Sequence, residues 1–242
     1  MLEFIKRLYP HGVQSFYQEM DTCLAQGTKR LVVTANAETM MISKGNEQLH
    51  KVLADPETVI VPDGISCVKG ANMVGVPLQE RITGVDLVAH LLEEGSRQKK
   101  TVFFFGAKEE VLQTLAKKLK IQCPDLQIVG LQNGYVSDRN KVAEQIIQAQ
   151  PDLIFVALGI PAQEILLYQM LPRLSKGILV GVGGSLDVLS GTKRRAPKLF
   201  IKCNCEWLYR LLKEPGRIKR FYDNNVRFFF QLKQEMREQN EH

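Results

Sequence analysis

Val59-Ile60-Val61-Pro62-Asp63-Gly64 is an apolar run that predicts a buried strand stopping at a carboxylate between a proline and a glycine. In an open α/β sheet, ligands bind beyond the carboxyl ends of the strands, so Asp63 stands where chemistry is expected and Gly64 lets a ligand approach closely. Pro-Asp-Gly is also ordinary turn chemistry, and the same carboxylate could cap the helix that follows. Both readings stay open at this stretch.

Working outward, the same arrangement recurs. Upstream, a helical segment over about Val13–Gln26 leads to the β-rich run Arg30-Leu-Val-Val-Thr34, followed by the polar Thr34-Ala-Asn36-Ala-Glu38 and a helical stretch from Met40. Downstream, helical patterns cover about Ser66–Val74 and Gly84–Gly95, and Arg81 lies between them in a loop bounded by Pro77 and Gly84. Strands are predicted at Thr101–Gly106, Gln127–Gly130, Asp152–Leu158 and Gly177–Gly184, alternating with helices at about Lys108–Lys120, Asp138–Gln150 and after Gln163. Short apolar strands alternating with longer helices are the pattern of parallel βαβ units whose sheet is covered on both faces. The expectation is a Rossmann-like α/β body over residues 1–191, a mostly parallel sheet flanked by helices.

Composition changes after Gly191. Residues 192–242 read as a helical C-terminal appendage: a helix from about Pro197 to Glu214, a break at Pro215-Gly216, and a final helix carrying Phe221, Tyr222, Phe228, Phe229 and Leu232. The chain has 242 residues and a net charge of +6. From Thr192 to Arg220 there are ten basic residues against two acids, a net +8, which leaves 22 basic and 24 acidic residues, or −2, for the rest. The basicity belongs to one segment, which suits phosphates, an anionic membrane surface or nucleic acid.

The five cysteines form no CxxC pair and the four histidines no HxxxH, so neither a disulfide frame nor a metal site is expected. Cys203 and Cys205 read as packing residues, and Phe103–Phe105 as core. The N-terminus lacks a long apolar leader, and no stretch approaches the ~18 apolar residues that a membrane span requires. The expected setting is cytosolic.

Gly181-Val-Gly183-Gly184 follows a strand but lacks the third glycine of a dinucleotide fingerprint, although such a turn can still bring backbone N–H groups to a pyrophosphate. No P-loop and no GxSxG is present. Asp187 reads as a turn or cap residue, and Glu164 as a residue favoured at the start of a helix. Arg210, Arg217 and Arg220 surround the Pro-Gly break, and three guanidiniums that converge make a diphosphate site, with a solvated helix face as the alternative. Trp207, Tyr209 and the Phe-rich last helix suit a membrane interface.

Thr34-Ala-Asn36-Ala-Glu38, Pro62-Asp63-Gly64, Glu80-Arg81-Ile-Thr-Gly84, Gly159-Ile-Pro161-Ala-Gln163-Glu164, Gly183-Gly184-Ser-Leu-Asp187, Arg195-Ala-Pro197 and Glu206-Trp-Leu-Tyr-Arg210 through Arg217 resemble, in order and spacing, the WecG/TagA/CpsF family of bacterial glycosyltransferases. The resemblance runs from about Leu31 to Arg220. It implies a GT-E type fold and a metal- and cofactor-independent, inverting transfer from a UDP-sugar to an undecaprenyl-diphosphate-linked sugar. In the teichoic-acid branch the sugar is N-acetylmannosamine and the acceptor carries N-acetylglucosamine. By matching position, the resemblance makes Asp63 the general base, Arg81 the body's catalytic arginine, and Arg210, Arg217 and Arg220 the appendage arginines that reach the diphosphate. Thr34, Asn36 and Gln163 would line the pocket, and the matching motifs add Glu164, Gly183, Gly184 and Asp187 to the substrate-binding set. It also implies a peripheral enzyme at the inner face of the membrane and a self-associating body. Two rivals stand beside it: the same reaction with N-acetylmannosaminuronic acid or glucose, and a non-enzymatic phosphate- or RNA-binding protein. The chain shows no RNP-type aromatic strand or helix-turn-helix that would favour nucleic acid.

Overall fold

The computed structural model describes residues 1–213, 216 and 218–240, with the backbone alone of Arg210, Arg220 and Asn240. In chain order, α1 (Leu2–Lys6) and α2 (Val13–Gln26) precede β1 (Arg30–Ala35), α3 (Ala37–Ser43), α4 (Glu47–Ala54), β2 (Thr58–Pro62), α5 (Ile65–Met73) and α6 (Gly84–Arg97). Next come β3 (Thr101–Gly106), α7 (Glu109–Gln122), β4 (Gln127–Gln132), α8 (Arg139–Ala149), β5 (Leu153–Ala157), α9 (Ala162–Met170), β6 (Ile178–Gly181) and α10 (Ser185–Ser190). Beyond Gly191 lie α11 (Lys198–Lys202), α12 (Glu206–Lys213), α13 (Ile218–Phe221), one wide π-type turn (Tyr222–Val226) and α14 (Arg227–Asn240).

The six strands form one parallel sheet in the order β2-β1-β6-β5-β3-β4, the α/β architecture read from the sequence. Alternation along each strand feeds two cores. Leu31, Val33, Phe103 and Phe105 enter one, built with α1, α3, α4, α5, α8, α9 and α14; Val32, Val102 and Phe104 enter the other, built with α2, α6, α7 and α10. The register aligns Ala35 with Pro62, so β1 and β2 end together, and Val33 with Gly181, so β6 stops two residues short of β1; the loops after all three share one edge. The edge strand β2 is protected: Tyr9 N–H donates to Ile60 O (2.8 Å), and the Arg7 guanidinium binds the carbonyls of Leu53 and Asp55.

Three details differ from the sequence reading. The expected continuous helix from Pro197 to Glu214 is interrupted at Cys203-Asn204-Cys205, because Asn204 takes a left-handed conformation (φ 55°) that ends α11. Cys203 is exposed and Cys205 half-buried, so neither is the packing residue expected. The short N-terminal α1, not anticipated, buries Leu2, Phe4 and Ile5.

The last helix is held by the body's core. Phe228 and Leu232 are fully buried, and Gly70 on α5 admits them: a Cβ there would stand 3.0 Å from the Phe228 ring and 3.2 Å from Leu232. We expect Phe228→Ala to cost about 3–5 kcal/mol, as a large-to-small change in a packed core does; urea unfolding of the full chain measures it, and a loss below about 1 kcal/mol would show that α14 contributes little to the fold.

Candidate active site

The sequence brings polar residues to the ends of adjacent strands, and the sheet places them side by side. Asp63 N–H donates to Ala35 O (2.9 Å), and Gly64 lets Asn36 pack against the turn, since a Cβ on Gly64 would lie 3.2 Å from that of Asn36. Asp63 Oδ1 accepts a hydrogen bond from Gly84 N–H (2.8 Å). The capping reading of Asp63 is thus partly realised, but on α6, 21 residues downstream. The helix that follows Asp63 directly, α5, starts at Gly64 with no side-chain cap. One carboxylate oxygen is anchored by an otherwise orphaned first-turn N–H of α6.

That turn is itself tightly built. Thr83 caps α6, accepting from Asp86 N–H (3.2 Å) and donating its hydroxyl to Asp86 Oδ2 (2.6 Å). Arg195 grips Asp86 bidentately, at 2.5 and 2.7 Å. Burial pushes the Asp86 carboxyl up, but the bonds from Arg195 and Thr83 and the charges of Arg195 and Arg81 outweigh it and hold the group below the usual carboxylate range. Asp86 in turn raises the pKa of Arg195, to which the charge of Asp63 also contributes. Arg81 donates from Nε to Asn204 Oδ1 (3.1 Å) and from Nη2 to Glu206 Oε2 (3.2 Å).

Thr34 donates its hydroxyl to Gly181 O (2.9 Å) and lies 3.6 Å from the point where a Gly84 Cβ would sit, so it underlies the same turn. Asn36 spends its Oδ1 on capping α3, accepting from Thr39 N–H (3.1 Å). Gln163 is 3% exposed and ties two loops together: its Oε1 accepts from Gly159 N–H (3.2 Å) and Gly183 N–H (3.0 Å). Gly183 has a positive φ (47°), and Gly184 precedes α10. Asp187 pairs with Lys193 (3.3 Å). The side chains of Arg210 and Arg220, and the whole of Arg217, lie outside the described residues. Among the described residues, no group of three or more His, Cys, Asp or Glu side chains is placed to hold a metal ion.

Sequence reasoning missed Asp86, Asn204 and Glu206 as working partners. The Thr83-x-x-Asp86 spacing is a capping-box pattern and would have fixed Gly84 as the first residue of α6. Nothing in the spacing signalled that Asp63 or Arg195 would meet that turn.

Glu164 is 1% exposed; its Oε1 accepts from Gln163 Nε2 (2.7 Å), while its buried Oε2 has no hydrogen-bond partner. Burial pushes its pKa up to about 7, against the Gln163 bond and with a further push from Glu38. A carboxyl raised on folding binds more protons in the folded state, so the contribution of Glu164 to stability is fully present below about 4.5 and is lost as pH rises towards about 7. The slope is at most about 1.4 kcal/mol per pH unit. Glu164→Gln stays neutral and should lose that slope when urea unfolding of both proteins is followed across this range; parallel profiles would contradict the raised pKa.

The model of the WecG/TagA/CpsF glycosyl transferase family matches residues 7–241. An N-acetylglucosaminyldiphosphoundecaprenol N-acetyl-β-D-mannosaminyltransferase of Bacillus spizizenii is 40% identical over 207 residues, covering 85% of this chain and 80% of the relative. The like-named protein of Bacillus subtilis is 38% identical over 78% of this chain and 74% of its own length, and that of Staphylococcus aureus 34% identical over 80% and 78%. Built on this sheet and matched across nearly its whole length, the chain belongs to the WecG/TagA/CpsF family of glycosyl transferases.

Proposed function

We propose that this chain transfers N-acetylmannosamine from its UDP-sugar to undecaprenyl-diphosphate-linked N-acetylglucosamine, as in teichoic acid-type synthesis, with Asp63 as general base. The observation that carries the reading is the Asp63 carboxylate, held by the α6 N-terminus at the edge where β1 and β2 end together beside β6. The names of the relatives support the acceptor and the transferred sugar.

In this mechanism the acceptor hydroxyl attacks the anomeric carbon from the face opposite UDP. The new carbon–oxygen bond forms as the bond to the diphosphate breaks; the hydroxyl proton passes to Asp63, and UDP leaves with the bonding pair. Arg210, Arg217 and Arg220 take the growing charge on the diphosphate, the role a metal would otherwise fill. Thr34 and Asn36 border the sugar, and Gly183 and Gly184 allow close backbone approach; the buried Glu164 acts only behind them, through Gln163, and Asp187 pairs with Lys193. Arg81 works at the junction with the appendage, through Asn204 and Glu206.

Membrane association belongs to the same proposal. No helix among the described residues is long and apolar enough to cross a bilayer. Trp207, Leu208, Leu212, Ile218 and Tyr222 are exposed, with the indole of Trp207 stacked on Phe221 (4.7 Å), and Lys202, Lys213 and Lys219 of the same segment are exposed as well. Exposed apolar side chains and lysines within one segment suit an anionic lipid surface, where the polyprenyl acceptor resides.

Two experiments test this. With UDP-N-acetylmannosamine, a short-chain N-acetylglucosaminyl-diphospholipid and EDTA, Asp63→Asn should lower acceptor-dependent UDP release about a hundredfold or more; undiminished release would return Asp63 to a purely structural role. Leu212→Ser with Ile218→Ser should weaken co-sedimentation with phosphatidylglycerol vesicles about tenfold or more, since each buried aliphatic side chain contributes about 1.5–3 kcal/mol; unchanged sedimentation would remove this face from the membrane.

A further inference from the structure

Glu80 opens the Glu80-Arg81-Ile-Thr-Gly84 motif, and its carboxylate is engaged on a different helix from the one the motif leads into. Its Oε1 accepts from the N–H of Val13 (2.7 Å), the first residue of α2, 67 positions earlier in the chain. The N-cap of α2 is Gly12, which has no side chain to cap with, so Glu80 supplies both the acceptor and the negative charge that a helix start favours. Gly12 has φ −71° and ψ 173°, a backbone open to any residue, so the missing side chain there answers to space: a Cβ would stand 2.6 Å from Glu80 Oε1. The glycine and the carboxylate fit each other.

This bond is one of a series. Leu78 exchanges two bonds with the side chain of Asn72 on α5, N–H to Oδ1 at 3.3 Å and Nδ2 to Leu78 O at 2.7 Å. Ile82 N–H donates to Pro62 O (2.8 Å), and Gly84 N–H to Asp63 Oδ1 (2.8 Å). Every second residue from 78 to 84 is thus tied down, and Arg81 lies between two of them. Leu78 is tied to α5, and Ile82 and Gly84 to the end of β2; of these four, Glu80 is the one that reaches α2. The same helix also holds the far side of the turn: Tyr17 stacks on His90 (4.1 Å), and Asp21 Oδ1 bonds His90 Nε2 (2.6 Å). Val13, Tyr17 and Asp21 are four apart and share one face of α2, while Phe16 and Met20 of that helix lie in the core with Leu87 and Val88 of α6. A core-packed helix therefore holds the segment before and after Gly84.

We propose that Glu80 is a positioning residue for the transfer: by capping α2 it fixes residues 80–84 against the end of β2, so that Gly84 N–H meets Asp63 and Arg81 is presented from between two fixed neighbours. The consequence for catalysis rests on the transferase reading. Glu80 is exposed, so water replaces much of the bond when it is lost and the cost to stability is small. The cost falls on placement, and a small displacement of a reacting group lowers a rate far more than it lowers stability.

Amide exchange and turnover of the full chain test this together. Glu80→Ala should speed exchange of the Ile82 and Gly84 amides about fivefold or more while β1 and β3 keep their protection, and should lower kcat about tenfold with both KM values within about threefold of the parent. Gly12→Ala crowds the carboxylate from the other side of the contact and should give the same changes, and the double variant no more than either alone, because each removes the same contact. Glu80→Gln keeps an acceptor oxygen for Val13 and should recover both protection and rate relative to Glu80→Ala. A purely structural Glu80 would shift the urea midpoint and leave kcat and exchange at Ile82 and Gly84 unchanged; unchanged kcat or unchanged exchange in Glu80→Ala, or additive losses in the double variant, overturns the proposal. If the intact protein transfers no sugar from any donor, exchange at Ile82 and Gly84 still decides what Glu80 holds in place, and only the transferase reading fails.

Discussion

The hydrogen bond from Gly84 N–H to Asp63 Oδ1 is the contact on which the account of the site depends. It joins the end of β2 to the start of α6, two elements that the chain separates by α5 and a loop. A helix N-terminus has spare N–H groups and a positive end, and a carboxylate placed there is both held and oriented. The same turn carries Asp86, which fixes Arg195, and follows the loop that presents Arg81. One turn of helix thus holds Asp63 on one side and, through Asp86, Arg195 on the other.

The parallel sheet makes this arrangement available. Because β1 and β2 end in register and the adjacent β6 stops only two residues earlier, the residues just beyond them share one edge without any long-range design in the loops. Gln163 then clamps the loops after β5 and β6 through one carbonyl oxygen, which accepts from the N–H groups of both Gly159 and Gly183. Its almost complete burial makes it a brace for the glycine loop, and its neighbour Glu164 is buried with one oxygen unpaired.

Much of this was legible in the sequence, and the reason is periodicity. Val59–Pro62 and Thr101–Gly106 are short uncharged runs between helical patterns, and only buried parallel strands satisfy both features, so the α/β body and the position of Asp63 at a strand end could be read directly. What could not be read depends on meetings between distant residues. The choice between cap and catalyst for Asp63 assumed that a cap would serve the next helix; it serves α6. Arg81 was legible as a presented guanidinium, but its partners lie more than a hundred residues away. The break at Asn204 turns on a single left-handed residue within a strongly helical pattern, a choice that local propensity does not determine. The aromatic last helix was legible as amphipathic, while its burial against Gly70 required the shape of α5.

The most direct measurement compares Gly84→Pro with Gly84→Ala. Proline is well accepted at the first position of a helix, and Thr83 already has the extended backbone that a following proline favours (ψ 141°), so the helix can start as before; the substitution removes the N–H that holds Asp63 and sets the ring Cδ in its place, which displaces the carboxylate. Alanine keeps the N–H and places its Cβ 3.2 Å from the Ser185 hydroxyl, which can turn aside. With folding checked by urea unfolding, the account requires Gly84→Pro to lower kcat for sugar transfer about tenfold or more while Gly84→Ala stays near the parent value. Full activity in a folded Gly84→Pro protein would show that the orientation of Asp63 does not depend on this bond, and would contradict the account at its centre.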